Sequence, residues 1–216
     1  MDEHKHGHTH PKTEVDDSDL SYYEAMCWAL RDDLLERGFF SADQVRRTLE
    51  QMESKGVHLG AQVVVNAWLD PAWKKRLLQS GVEAAAEIGI KLTEAELVVV
   101  ENSENEHNLI VCTLCSCYPR SLLGQPPSWY VSKTYRSRAV REPRKVLEEF
   151  GLHLPHHQTV RVHDSTADMR YMVLPMRPEG TEGWTKQELA ALISRDMLIG
   201  TAVPTIPQTV SSDGKK

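Results

Sequence analysis

Three of the four cysteines in this chain fall within six residues, in the run Cys112-Thr113-Leu114-Cys115-Ser116-Cys117. Thiols set that close together rarely serve packing. They suit disulfide exchange, a zinc site or a chelate for a redox-tunable transition metal. A structural zinc site takes four protein ligands, and a catalytic one takes three with a water. Three cysteines meet the second requirement, but the spacing puts every sulfur on one tight loop, with no second CxxC and no nearby CxxH. A thioredoxin-like pair leaves the third cysteine unused, and Tyr118-Pro119 interrupts the helix that should follow it.

A further arrangement uses all three thiols. In Cys115-Ser116-Cys117 two thiolates flank the backbone amides of Ser116 and Cys117. With both amides deprotonated, the tripeptide offers two nitrogens and two sulfurs in one plane. Cys112 then supplies a fifth ligand from below, and the sixth position stays open for water or substrate. Backbone amides ionise only beside a strongly Lewis-acidic ion, which points to trivalent cobalt or iron rather than zinc. A water bound there would be acidified enough to supply hydroxide near neutral pH.

The rest of the chain must position that loop. Its 216 residues suffice for one sizeable core, or for a domain with an arm. No apolar run approaches the roughly 20 residues that span a bilayer. The net charge of −6 and the lack of a recognition motif argue against nucleic acid as a partner. Clustered cysteines are not a secreted disulfide framework, and the acidic, His-rich beginning is no export signal, so a cytoplasmic location is expected. Residues 1–18, with His4, His6, His8 and His10, read as a solvated tail, as do 205–216.

From Leu20 the apolar residues recur at helical spacing, with Cys27 on the apolar face and Gly38 as a stop. Ser41 and Gln44 form a capping box, and Asp70-Pro71 opens a further helix. Residues 19–90 therefore read as a helical arm that needs a partner. Strands are expected at 97–100, 109–112, 160–162 and 171–174, and helices at 142–150 and from the Thr185–Glu188 capping box. The class is α+β, with a metal-binding domain over 91–204.

Val-Cys-Thr-Leu-Cys-Ser-Cys-Tyr-Pro at 111–119 resembles the metal-binding motif of the nitrile hydratase α subunit family, which the thiocyanate hydrolase γ subunit shares. The resemblance extends over most of 20–204, through Leu59-Gly60-Ala61, Ala67-Trp68-Leu69-Asp70-Pro71, Tyr135-Arg136-Ser137-Arg138, Arg177-Pro178-Glu179-Gly180-Thr181 and Arg195-Asp196. It implies a layered α-β-β-α C-terminal domain, an N-terminal arm lying on a β subunit, and a heterodimer or heterotetramer loaded by a cobalt metallochaperone. It implies a low-spin Co(III) or Fe(III) ion held by Cys112, Cys115 and Cys117 through sulfur, and by Ser116 and Cys117 through their amides. Cys115 would be a sulfinic acid and Cys117 a sulfenic acid. Catalysis would centre on Cys115, Ser116 and Cys117, with either the sulfenate oxygen or a bound hydroxide attacking a nitrile to give an amide. Partner arginines would hold the oxidised sulfurs, so the chain alone would be inactive. Thr113 and Tyr118 match the cobalt-type version.

The departures from the family concern substrate. Arg120 stands where most nitrile hydratases have Trp, Gln125 where they have Leu, and His163 where Trp is common. Thiocyanate hydrolase γ subunits resemble this chain at the first two places. With Thr113 and Tyr118, Arg120 and Gln125 are the expected substrate pocket, and an arginine there would concentrate a small anion. The alternative is that Arg120 turns outward to pair with a neighbouring subunit. Against thiocyanate hydrolase, the segment 91–108 is compact. A cobalt-storage role for the His-rich tail is the non-enzymatic alternative. The other histidines are not expected to bind metal, and Arg136, Arg138, Arg141 and Arg144 read as salt-bridging residues.

Overall fold

The computed structural model describes residues 21–207, so the His-rich tail expected over 1–18 and most of 205–216 lie outside the described residues. The chain divides between Glu50 and Gln51. In the first unit α1 (Tyr22–Glu36) opens on a capping box, the Ser21 amide donating to the Glu24 carboxylate at 2.8 Å. α2 (Ala42–Glu53) opens on the expected box between Ser41 and Gln44 and crosses the division. Neither helix contains a buried residue, and Tyr22, Tyr23 and Phe39 are about three-quarters exposed. Cys27, expected on the apolar face of this helix, is exposed as well, because α1 buries no residue.

The second unit begins well before residue 90. α3 (Val57–Leu69) buries Gly60, Ala61, Val63, Val64, Val65 and Ala67, which cover more than one stripe of the helix. A helix that is apolar on several sides belongs inside a core rather than on an arm. α4 (Pro71–Gln79) follows, its N-terminus capped by Asp70, which accepts from the Ala72 and Trp73 amides at 2.9 Å each. α5 (Gly81–Glu87) completes the group, and Leu77 and Ala85 are fully buried.

Four strands carry the site: β1 (Glu96–Glu101), β2 (Glu106–Val111), β3 (Thr159–Asp164) and β4 (Met169–Leu174). They include the expected stretches, except that β2 stops one residue short of Cys112. β1 pairs in parallel with β4, setting Glu96 opposite Met169, and β2 pairs in parallel with β3, setting Val111 opposite Asp164. Parallel partners need long crossovers. The one between β2 and β3 contains α6 (Arg120–Leu123), α7 (Ser128–Val131), α8 (Lys133–Arg141) and α9 (Pro143–Glu149). Helices α4 and α5 pack on β1, α8 on β2 and α9 on β3, while β2 meets β4, so the layers run α-β-β-α. Of the last two helices, α10 (Lys186–Ala191) lies on α3, and α11 (Arg195–Ile199) touches β2, β4 and α3. Gly200 ends α11 at φ +94°, where a Cβ would lie 2.0 Å from the Asn108 carbonyl oxygen, so only glycine fits. Among the described residues no helix is long and apolar enough to cross a membrane.

Candidate metal centre

β2 runs straight into the cysteine loop. Cys112 follows its last residue and is fully buried, Cys117 is 8% exposed, and Cys115 between them is exposed. The Cys115 sulfur lies 3.5 Å from that of Cys112 and 3.1 Å from that of Cys117, and all three lie within 4.8 Å of one another. Sulfurs this close repel once ionised, and a cation among them would relieve that repulsion. The Cys115 thiol is lowered to about 7, chiefly by hydrogen bonds from the Cys117 and Cys112 thiols. Burial, and then Cys115, push Cys117 up to about 12.

Five hydrogen bonds from four distant residues hold this loop and the end of β2 in shape. Asp164, at the end of β3, accepts from the Thr113 amide at 2.9 Å and from its hydroxyl at 2.6 Å. The Tyr130 hydroxyl donates to the Cys117 carbonyl at 2.8 Å, and that of Tyr135 to the Ile110 carbonyl at 2.6 Å. The Ser165 amide donates to the Val111 carbonyl at 2.7 Å. Neither the Ser116 nor the Cys117 amide donates to a backbone carbonyl among the described residues. The donor set therefore fits a thiophilic metal ion: three sulfurs and two backbone nitrogens, which no backbone carbonyl claims among the described residues.

The loop faces a cavity of about 450 Å³, lined by Cys115, Ser116, Cys117 and Tyr118 together with Arg120 and Arg170. Of the expected pocket residues, Tyr118 and Arg120 are thus brought together with the cysteines. Thr113 lines a neighbouring hollow with Leu114 and Arg136, while Gln125 is exposed and lines neither. The Tyr118 hydroxyl is buried without a hydrogen-bond partner among the described residues. Arg120 is exposed, and neither it nor Arg170 has a carboxylate partner among the described residues. Arg170, which donates to the Thr166 carbonyl, was not among the expected site residues, nor were Glu94, Thr93 and Asp164. Of the basic run, Arg138 pairs with Glu142 at 2.6 Å and Glu149 at 2.5 Å, as expected for a salt-bridging residue. Arg144 instead donates to the carbonyls of Leu154, Pro155 and Gln158.

The family model for the nitrile hydratase alpha chain matches residues 21–202. The chain belongs to the nitrile hydratase alpha chain family. Within that family it is 49% identical over 175 residues to the cobalt-containing nitrile hydratase subunit alpha of Pseudonocardia thermophila, covering 80% of this chain and 86% of that one. It is also 43% identical over 206 residues to the thiocyanate hydrolase subunit gamma of Thiobacillus thioparus, covering 90% of this chain and 85% of that one. The structure resembles that of a double mutant of Fe-type nitrile hydratase from Comamonas testosteroni Ni1, with a TM-score of 0.84 and 38% identity, over 92% of this chain and all of that one. Members of the nitrile hydratase alpha chain family thus include proteins named for cobalt, for iron and for thiocyanate.

Proposed function

We propose that this chain is the metal-carrying α subunit of a cobalt-type nitrile hydratase, which hydrates a nitrile to its amide when assembled with a β subunit. The observation that carries the reading is the set of three sulfurs within 4.8 Å of one another, two of which, those of Cys115 and Cys117, belong to residues lining a cavity. Cys112, Cys115 and Cys117 would hold the ion through sulfur, and Ser116 and Cys117 through their amides. A low-spin Co(III) ion bound there would supply a Lewis acid that polarises the nitrile. Cobalt is preferred to iron because Thr113 and Tyr118 match the cobalt-type motif and the relatives named above include cobalt-containing subunits.

Each residue of the chain then has a part. Dioxygen would oxidise Cys117 to the sulfenic acid and Cys115 to the sulfinic acid, and either the Cys117 sulfenate oxygen or a bound hydroxide would attack the nitrile carbon. The Asp164 clamp on Thr113 and the Tyr130 bond to Cys117 keep the loop from collapsing before loading. Tyr118 and Arg120 border the space the substrate enters. The exposed apolar residues of α1 and α2 suit docking on a β subunit, and a cobalt metallochaperone would load the site.

A second reading, the γ subunit of a thiocyanate hydrolase, is favoured by one observation: two arginines without carboxylate partners line the cavity, a setting that attracts a small anion. The deciding experiment uses the complex co-expressed with its partner and tests acrylonitrile, benzonitrile and thiocyanate, alongside elemental analysis. Nitrile turnover with about one cobalt per copy of the chain is expected from the soft ligand set. Turnover of thiocyanate without any nitrile would replace the first reading with the second, and full activity with zinc alone would sink both.

A further inference from the structure

The cavity beside the cysteine loop has one acidic side chain among its described lining residues, Glu94. It precedes β1, far from the cysteines in sequence, and reaches the cavity because β1 begins opposite the start of β4. Its carboxylate is held at both oxygens. One accepts from the Ser121 amide at 2.9 Å, and the other from the Thr93 amide at 3.2 Å. Thr93 in turn donates its amide to the Ser121 hydroxyl at 3.0 Å, and the two hydroxyls share a 2.7 Å hydrogen bond. Neither cavity arginine forms a salt bridge with Glu94 or with any other described carboxylate. A negative charge fixed by two amides, and not neutralised by an arginine, projects its field into the space the substrate must cross.

We propose that Glu94 is a specificity-determining residue: its fixed carboxylate offsets the two arginines and disfavours anions relative to neutral substrates. The inference rests on the reading that this cavity admits the substrate. It assigns part of the discrimination against anions to a carboxylate seated on Arg120's own helix, α6, rather than to Arg120 alone. Glu94 makes no hydrogen bond to a cysteine among the described residues, so its influence acts through charge.

The test is Glu94→Gln in the co-expressed, metal-loaded complex. The amide oxygen of glutamine can still accept from Ser121, so the loop is kept while the charge is lost. The probe is thiocyanate, followed as an inhibitor of nitrile turnover or, where it is turned over, by its KM. Expected is tighter thiocyanate binding by about three- to tenfold relative to the KM for acrylonitrile, the effect of one partly screened charge, with the metal content kept. The gain should shrink as ionic strength rises, which a merely structural role for Glu94 would not produce. Glu94→Ala, lacking both charge and clasp, should move the ratio of the two constants the same way. An unchanged ratio in both variants would overturn the proposal. A wild-type complex that turns over thiocyanate alone would instead overturn the nitrile reading, and the thiocyanate KM would still report on Glu94.

Discussion

Cys27 and Cys115 are both exposed thiols, yet the molecule treats them differently. Cys27 stands on α1, a helix with no buried residue. Cys115 stands on a loop whose other two sulfurs lie 3.5 and 3.1 Å away, and whose backbone is tied to β3 and α7. The same contrast separates the helices. α1 shows aromatic side chains to its surroundings, whereas α3 buries six of its residues. Chemistry at a thiol follows from what is built around it, and a helix with an uncovered apolar side depends on something outside its own unit.

The cysteines offer the hardest test of that contrast. Replacing Cys112, Cys115 or Cys117 with Ala should abolish metal retention and lower turnover of the complex by about a hundredfold or more, because parts of one chelate act together. Cys27→Ala should leave both within about twofold, the range of an exposed substitution away from special features. Peptide mapping under non-reducing conditions should find two added oxygens on Cys115 and one on Cys117, and none on Cys27, by the susceptibility of thiolates held open on a metal. A Cys115→Ala complex that keeps metal and rate would mean that the three sulfurs are neighbours without being ligands.

The two units should also part in stability. Leu77 is fully buried, and Leu77→Ala should cost about 2–5 kcal/mol in denaturant unfolding. Leu30 on α1 is 60% exposed, and Leu30→Ala in the isolated chain should change stability by less than about 0.5 kcal/mol. A comparable loss at Leu30 would show that the arm is held by contacts within the chain.

That division marks where the sequence was readable. The cysteine spacing, the capping boxes at Ser41 and Thr185, and the Asp70-Pro71 helix start are local signals, and each is present as read. Strand cores were legible from β-branched runs such as Leu97 to Val100, though not their ends, which tertiary pairing extends. The boundary of the arm was not legible, because α1 and α3 both carry apolar residues at helical spacing and only packing tells them apart. Nor were Glu94, Arg170 and Asp164. They reach the loop through parallel pairings between segments more than 50 residues apart in sequence, Glu96 with Met169 and Val111 with Asp164. No local periodicity encodes such a partner choice.

Exposed arginines sharpen the comparison further. Arg37 ends α1 paired with Asp33 at 2.9 Å, while Arg120 borders the cavity without a carboxylate partner among the described residues. Arg120→Trp should raise kcat/KM on aromatic nitriles relative to thiocyanate, by about two- to threefold for a charge that stays exposed and by roughly tenfold where assembly desolvates it. Arg37→Ala should leave the ratio unchanged. If Arg120→Trp does too, with the complex assembled and loaded, then Arg120 borders the cavity without meeting the substrate.

The smallest effect should come from pH, and it too divides the units. His107 on β2 is buried, its Nε2 donating to the Gly200 carbonyl at 2.7 Å and its Nδ1 accepting from Asn102 Nδ2 at 3.3 Å. The neutral ring is thereby fully satisfied. A proton on Nδ1 would set a donor against a donor, because Asn102 Oδ1 is already taken by the Asn108 amide and side chain at 2.8 and 3.0 Å. Burial holds the His107 pKa below its usual 6.5, and the charge of Arg144 lowers it further. His163, which donates to Asn108 Oδ1 at 2.7 Å, is lowered by burial and then by Arg161, against a smaller opposing pull from Glu106. Since the unfolded chain binds these protons more readily, stability is complete above pH 6.5 and falls as the pH drops below it. On the arm, Glu24 and Asp43 are lowered by hydrogen bonds from Ser21 and from Arg47 and Arg46, and their contribution is lost only below 4.5 and 3.8. Denaturant midpoints of the chain should therefore decline from pH 7 to pH 5.5, with a slope of at most about 1.4 kcal/mol per pH unit for each histidine. His107→Gln, which can still donate to Gly200, should flatten that decline. An equally steep decline in the variant would place the responsible proton elsewhere, with His163 the next residue to replace.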